Sequence, residues 1–191
     1  DATTNTNGRI MYYRDADAVA TWLVPSPATY PGTVVSCFAA NTDFSVILAG
    51  TASGNVIYRS VDGGEYWTTV TISTTLGNIR SIVFSPSLGR WVAVGGGYGG
   101  SAANTIIYST DATGTAWNAS PLQAKAASTS IFKTDSEVTR VIWDAVGGRF
   151  IIGGWNGASS TAVLTNMFGL DISNNNPGYT MAYSADGINW T

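Results

Sequence analysis

Three acidic residues, Asp135, Glu137 and Asp171, stand where carboxyl groups could do acid–base chemistry. Cleaving a glycosidic bond takes two carboxyls about 5–10 Å apart, one to protonate the leaving oxygen and one to attack the sugar or activate water. Asp135 and Glu137 are two positions apart, so on an extended strand they share a face. The other glutamate, Glu65, lies inside a turn. The chain has no histidine, which removes Ser-His-Asp catalysis and the commonest zinc sites. Its one cysteine, Cys37, sits in the apolar run Val34-Val35-Ser36-Cys37-Phe38. With no histidine to activate it, Cys37 reads as a structural core residue, and no internal disulfide can form. No metal and no cofactor are expected.

A second set of residues has the chemistry of sugar binding. Tyr98 follows Gly95-Gly96-Gly97 and Trp155 follows Gly153-Gly154, so both rings leave the end of an apolar run at the same relative place. Thr51 is near the equivalent place in an earlier unit. Such rings offer an apolar face for stacking. Asn104 and Asn156, with Asn174, Asn175 and Asn176, carry amides that suit sugar hydroxyls.

A third set recurs: Ser60, Asp62, Gly64 and Trp67; Ser109, Asp111 and Trp117; Ser184, Asp186 and Trp190. An Asp carboxylate accepts backbone N–H bonds from its own turn, and glycine takes positive φ there at low cost. The Trp folds beneath. These residues read as turn staples, not as catalytic groups, and a worn copy runs from Tyr13 through Asp15 and Asp17 to Trp22.

The elements that position these groups follow from the repeat. The closing residues Trp22, Trp67, Trp117 and Trp190 are separated by 45, 50 and 73 positions. The first two intervals match a four-stranded propeller blade, about 40–50 residues, and the third a blade with an insertion. Each unit holds short β-branched runs bounded by Gly, Pro, Asn and Asp, such as Ile79–Phe84, Arg90–Gly95 and Thr105–Ser109. The expected fold is all-β: a β-propeller of four-stranded antiparallel blades. About three and a half blades are present, a half blade at 8–24 and blades at about 33–72, 79–120 and 138–191. Strands one and two of the first blade are missing, so the chain is expected to be part of a longer one or to be completed by another subunit. The Asp turns fall at one end of the sheets and every long loop at the other, where binding is expected. The stretch from Trp155 to Gly178 carries the apolar runs Ala162-Val163-Leu164 and Met167-Phe168-Gly169-Leu170, expected to dock on a neighbouring blade, subunit or partner.

Composition narrows the function classes. The 191 residues carry a net charge of −3, and the lysines are Lys125 and Lys133 alone. With no basic stripe, nucleic-acid binding is not expected. No apolar run reaches the roughly 18 residues of a transmembrane helix, and no membrane insertion is expected. Charged residues are 11%, under the roughly 25% usual for soluble domains, so hydroxyls and amides cover the surface. That surface suits extracellular and virion proteins.

Ser60-Val61-Asp62-Gly63-Gly64-Glu65-Tyr66-Trp67 resembles the Asp-box, or bacterial neuraminidase repeat, S-x-D-x-G-x-x-W. In the copy at Asp111 the turn is one residue longer, with Gly114 displaced, and in the copy at Asp186 it is one residue shorter. The resemblance implies a sialidase-like propeller, with the Asp turns on the face away from the ligand. Propellers of this kind include sialidases, xyloglucanases and other glycosidases. Sialidases need an arginine triad and an Arg-Ile-Pro element, and this chain has Arg9-Ile10-Met11 instead. Arg59, Arg80, Arg90, Arg140 and Arg149 read as residues that abut turns or flank strands. The expected function is therefore a non-catalytic binding or structural module, not an enzyme: a virion or cell-surface adhesin such as a phage tail or capsid fibre. Its expected partners are a glycan or other surface receptor, other virion subunits and a second copy of itself. The alternatives are an extracellular glycoside hydrolase, sialidase- or xyloglucanase-like, and an assembly-factor propeller.

Overall fold

The computed structural model describes residues 10–12, 23, 25, 34–52, 56–72, 76–96, 105–121, 137–155, 164–165, 171–172 and 179–191. Among them there are only strands, bridges and turns, so the all-β expectation holds. The first sheet is β1 (Val35–Ala40), β2 (Ile47–Thr51), β3 (Val56–Ser60) and β4 (Thr68–Thr71), in that order. The second is β5 (Ile79–Ser85), β6 (Arg90–Gly95), β7 (Ile106–Ser109) and β8 (Trp117–Ala119). The third is β9 (Glu137–Asp144), β10 (Arg149–Trp155) and β13 (Tyr179–Ser184). Between β10 and β13, β11 (Leu164–Thr165) pairs antiparallel with β12 (Asp171–Ile172) inside the stretch expected to be a loop. Backbone bonds between Tyr183 and Thr191 continue the third sheet past β13. Of the 8–24 unit, the described part is an antiparallel bridge between Tyr12 and Leu23, with Ile10 buried beside it.

Period-two alternation explains how the sheets stack. On β6, Trp91 and Ala93 join one core with Leu48, Ile57 and Ile107. Val92 and Val94, on the opposite face, join another with Val141, Phe150 and Ile152. Because both faces are covered, Trp91, Val92, Ala93 and Val94 are all fully buried, and the strand reads as one apolar run. The inner strands β1, β5 and β9 pack in sequence against one another.

Each inner strand carries a bulge near its start. The extra residues are Ser36, Arg80 and Thr139, which fall between successive ladder pairs with β2, β6 and β10. A bulge twists its strand and re-aims its side chain. Ser36 Oγ donates to the Gly50 carbonyl at 3.1 Å and also to the carbonyl of Ile79, on the next sheet. Thr139 Oγ1 donates to the Gly153 carbonyl at 3.2 Å. Glycine opposite the bulge is a matter of space. A Cβ on Gly95 would come within 1.8 Å of the Asn78 carbonyl, and one on Gly154 within 2.3 Å of the Glu137 carbonyl. Cys37 is half-buried beside Gly50, and burial pushes its thiol pKa up.

Candidate functional site

The register divides the two ends of the stack. Ile47 pairs with Ser60, so the β1–β2 turn and the Asp turn of a sheet share one end. Val35 with Thr51, Ile79 with Gly95, and Glu137 with Trp155 mark the other. The bulges lie at this second end, from which the long connections leave.

At the bulged end, two charged residues predicted separately come together. The Arg80 guanidinium donates from Nε to Glu137 Oε1, an ion pair between the second and third sheets. Glu137 is the more covered partner, its side chain 18% exposed against 42% for Arg80. Glu137 thus lies at the end from which the long connections leave, ion-paired with Arg80, a residue expected to flank a strand. The recurring bulge, an extra polar residue at the start of each inner strand, is the signal that would have found Arg80. Arg140 is exposed one position beyond the third bulge, and its charge reaches Cys37.

The other sugar-binding candidates fare unevenly. Trp155 ends β10 directly across from Glu137, as expected of a residue leaving strand two. Thr51 ends β2 across from Val35, the place in the first sheet equivalent to that of Trp155 in the third, as expected; it is fully buried, and its hydroxyl donates to the Val56 carbonyl at 2.9 Å. Asp171 pairs with Thr165 in the β11–β12 hairpin. Tyr98, Asn104, Asp135, Asn156 and Asn174 to Asn176 lie outside the described residues.

At the opposite end, the three Asp turns have one design. Asp62 Oδ1 accepts from the backbone N–H groups of Glu65 and Tyr66 at 3.1 and 3.0 Å. Asp111 accepts from Thr115 and Ala116 at 3.2 and 2.8 Å. Asp186 accepts from Ile188 and Asn189, both at 2.8 Å. In every case the donors are the two residues before the Trp. The glycine is also constant, three before the Trp at Gly64, Gly114 and Gly187, each with positive φ. Gly114 is therefore not displaced relative to its Trp; the length differences are absorbed between Asp and Gly. Ser60 Oγ and Ser184 Oγ each donate to the turn's carboxylate and accept from the glycine N–H at 2.9 Å. Ser109 Oγ instead accepts from Trp91 N at 2.8 Å. Each of these carboxylates thus accepts two backbone N–H bonds from its own turn, together with hydroxyl or amide side chains.

A cleft of about 380 Å³ opens at this same end, between the first sheet and Ile10, Met11 and Tyr12. Phe38, Phe44 and Trp67 line it, and among the described residues its lining includes no charged side chain. Among the described residues no group of three or more His, Cys, Asp or Glu is placed to hold a metal.

No protein-family model and no curated protein sequence matches the chain. Among solved structures, an ancestral GH74 enzyme matches with a TM-score of 0.54 and 18% identity, over 89% of this chain and 19% of that one. A GH74 enzyme from Niastella koreensis matches at 15% identity over 96% of this chain and 30% of that one, with a TM-score of 0.34 too low to carry an argument. The chain thus spans about a fifth of the length of the first structure. GH74 enzymes are β-propeller glycoside hydrolases, and the likeness shows a propeller-like fold here. It also corrects the expectation of a protein that is not an enzyme. That expectation rested on the missing arginine triad of sialidases, on the missing histidine and on finding few carboxyls in one segment. Glycoside hydrolysis needs no histidine, and its two carboxyls can come from separate sheets.

Proposed function

We propose that this chain forms part of the saccharide-binding propeller of an extracellular glycoside hydrolase, with the bulged end of its sheets facing the sugar. The observation that supports this most is the Arg80–Glu137 pair at the inner rim of a fold like that of a GH74 enzyme, on the end opposite the Asp turns. Glu137 is one of the two carboxyls, oriented by the guanidinium of Arg80. Its partner is Asp135, two residues upstream, or a carboxyl from another sheet. Trp155, across the ladder from Glu137, and Tyr98 give stacking surfaces, with Asn104 and Asn156 for hydroxyls. The turns at Asp62, Asp111 and Asp186 are Asp-boxes that fasten the far end.

Xyloglucan and a panel of fluorogenic glycosides, incubated with the polypeptide that contains this chain, test the reading. Hydrolysis is expected, and Glu137→Gln should lower kcat by about a hundredfold or more, the usual range for a lost general acid or base. Full activity in a Glu137→Gln, Asp135→Asn double variant would remove both residues from the reaction. No hydrolysis of any glycoside would sink the proposal.

A further inference from the structure

The end of the stack that carries the Asp turns combines apolar tips with negative charge. The hairpin of each inner strand closes there on a tight turn that holds one large apolar side chain: Phe44 between β1 and β2, Leu88 between β5 and β6, and Val146 between β9 and β10. They are 67%, 41% and 101% exposed. Single apolar residues scattered on a surface are ordinary. One at the same turn of three successive sheets is a pattern, at positions where glycine and polar residues are the usual choice. Because β1, β5 and β9 pack side by side, the three tips stand next to one another. Val61 and Tyr66, in the Asp turn of the first sheet, are more than half exposed at the same end.

Phe44 is held there against its own backbone preference. It sits at φ 59°, where the β5–β6 and β9–β10 turns use Gly89 and Gly148, at 57° and 60°. A bulky residue in this region is strained. The turn around it is cross-linked: Asn41 Nδ2 donates to Ser45 Oγ at 2.9 Å, and Val46 N to Asn41 Oδ1 at 2.9 Å. Ser45 N and Ser45 Oγ donate to Asp43 Oδ1 at 3.1 and 2.8 Å. Strain over-determined by its surroundings in this way gathers at sites that hold a ligand. The ring stays exposed while it lines the cleft at this end.

Charge divides between the two ends. Among the described residues of the three larger sheets and their turns, the Asp-turn end holds Asp43, Asp62, Glu65, Asp111, Asp144 and Asp186 against Arg59, Arg90 and Arg149. The bulged end holds Glu137 against Arg80 and Arg140. The arginines of the Asp-turn end are turned to the protein itself. At the first junction between sheets Arg59 Nε donates to the Thr113 carbonyl at 2.6 Å, at the second Arg90 donates to the Asp186 carbonyl, and Arg149 pairs with Asp144. Bonds from Ser45 hold the Asp43 carboxyl, and the Gly147 N–H that of Asp144, below the usual carboxylate range, so both are charged at neutral pH.

We infer that Phe44, Leu88 and Val146 form a docking surface for a cationic amphipathic segment of another protein, with its apolar face on the three tips and its lysines or arginines among the surrounding carboxylates. Neighbouring exposed apolar groups supply the contact, and the sign of the charge selects the partner. The same sign repels an anionic membrane surface. The surface lies opposite the bulged end, so a partner bound here leaves the proposed sugar site open.

A labelled amphipathic peptide of leucine and lysine, mixed with the chain and followed by fluorescence anisotropy, tests this. Saturable binding is expected, weakening as salt is raised, and a peptide with glutamate in place of lysine should not bind. The triple variant Phe44→Asn, Leu88→Ser, Val146→Ser keeps every charge and should weaken binding by about tenfold or more. Asparagine tolerates the left-handed backbone at position 44, and the replaced side chains are exposed, so the urea midpoint should match that of the parent and separate lost docking from lost folding. Val146→Ser alone, at a fully exposed position, should weaken binding about threefold. Equal affinity of the parent and both variants would overturn the inference, since charge alone would then hold the peptide. So would failure of the parent to bind the lysine peptide. Flotation of the parent, but not of the triple variant, with phosphatidylcholine vesicles would overturn it too, by making a lipid surface the occupant.

Discussion

Gly187 and Val92 lie so close across the second junction that a single added methyl would overlap Val92 Cγ2 at 2.8 Å and Phe150 at 2.9 Å. Gly187 also sits at φ 73°, where a side chain is strained. Gly63 has a similar φ of 75°, yet a Cβ there would meet nothing within 4 Å. Gly63→Ala should therefore cost about 1 kcal/mol, from backbone strain alone. Gly187→Ala should cost about 2–4 kcal/mol, because overpacking adds to it. Urea denaturation of the two variants measures the difference; equal midpoints would mean that the turn does not press on the neighbouring sheet.

The three Trp residues should not respond alike to Phe. Trp67 Nε1 donates to the Gly64 carbonyl and Trp117 Nε1 to that of Gly114, each at 2.9 Å and buried. Trp190 Nε1 is buried without a hydrogen-bond partner among the described residues. The turn at Asp186 is the shortest of the three, with Gly187 directly after the Asp. Trp67→Phe and Trp117→Phe leave a buried carbonyl unpaired, which adds about 1–3 kcal/mol to the lost packing. Trp190→Phe removes a donor that makes no bond, so its thermal midpoint should fall least.

The strands were legible because each run is β-branched and its turn residues are unambiguous: Arg90–Gly95 is both the expected and the observed strand. The end of the stack that carries the long connections followed from strand order alone. The junctions were not legible, although Gly64, Gly114 and Gly187 share the spacing Gly-x-x-Trp in the sequence. Counting from the Asp hid this regularity, since the loop varies on the Asp side of the glycine. Nor does sequence spacing reveal Arg80 meeting Glu137, 57 positions away, because that contact depends on bulge geometry and on how adjacent sheets stack.

The Arg80–Glu137 pair should matter little for stability. Arg80 is well exposed, and exposed pairs contribute about 0–1 kcal/mol. Arg80→Ala and Glu137→Gln should each leave the urea midpoint nearly unchanged. Gly95→Ala, at the same end, should be far worse, since its Cβ would meet the Asn78 carbonyl at 1.8 Å and force the β5–β6 bulge apart. A loss above about 3 kcal/mol is expected there, at the top of the overpacking range. A large loss in the charge variants would show that the pair is a structural clamp and not part of a binding rim.

Asp186 should make the third sheet acid-sensitive in a defined window. Burial of the carboxyl pushes its pKa up, but hydrogen bonds from Asn189, Ile188 and Ser184 outweigh it and bring the pKa down to about 2. Asp111 is lowered in the same manner by Thr113, Thr115 and Ala116. A carboxyl depressed in the folded state binds its proton more readily when unfolded, where its pKa is about 3.9. Its contribution is thus complete above about pH 4 and is lost as pH falls toward 2. Asp186→Asn keeps an acceptor but loses the charge-assisted bonds, at a cost of about 1–2 kcal/mol at neutral pH. Between pH 4 and pH 2 the variant should lose stability less steeply than the parent chain. Denaturation midpoints followed across that range check the sign; parallel curves would mean that the turn's hydrogen bonds do not depend on the charge of Asp186.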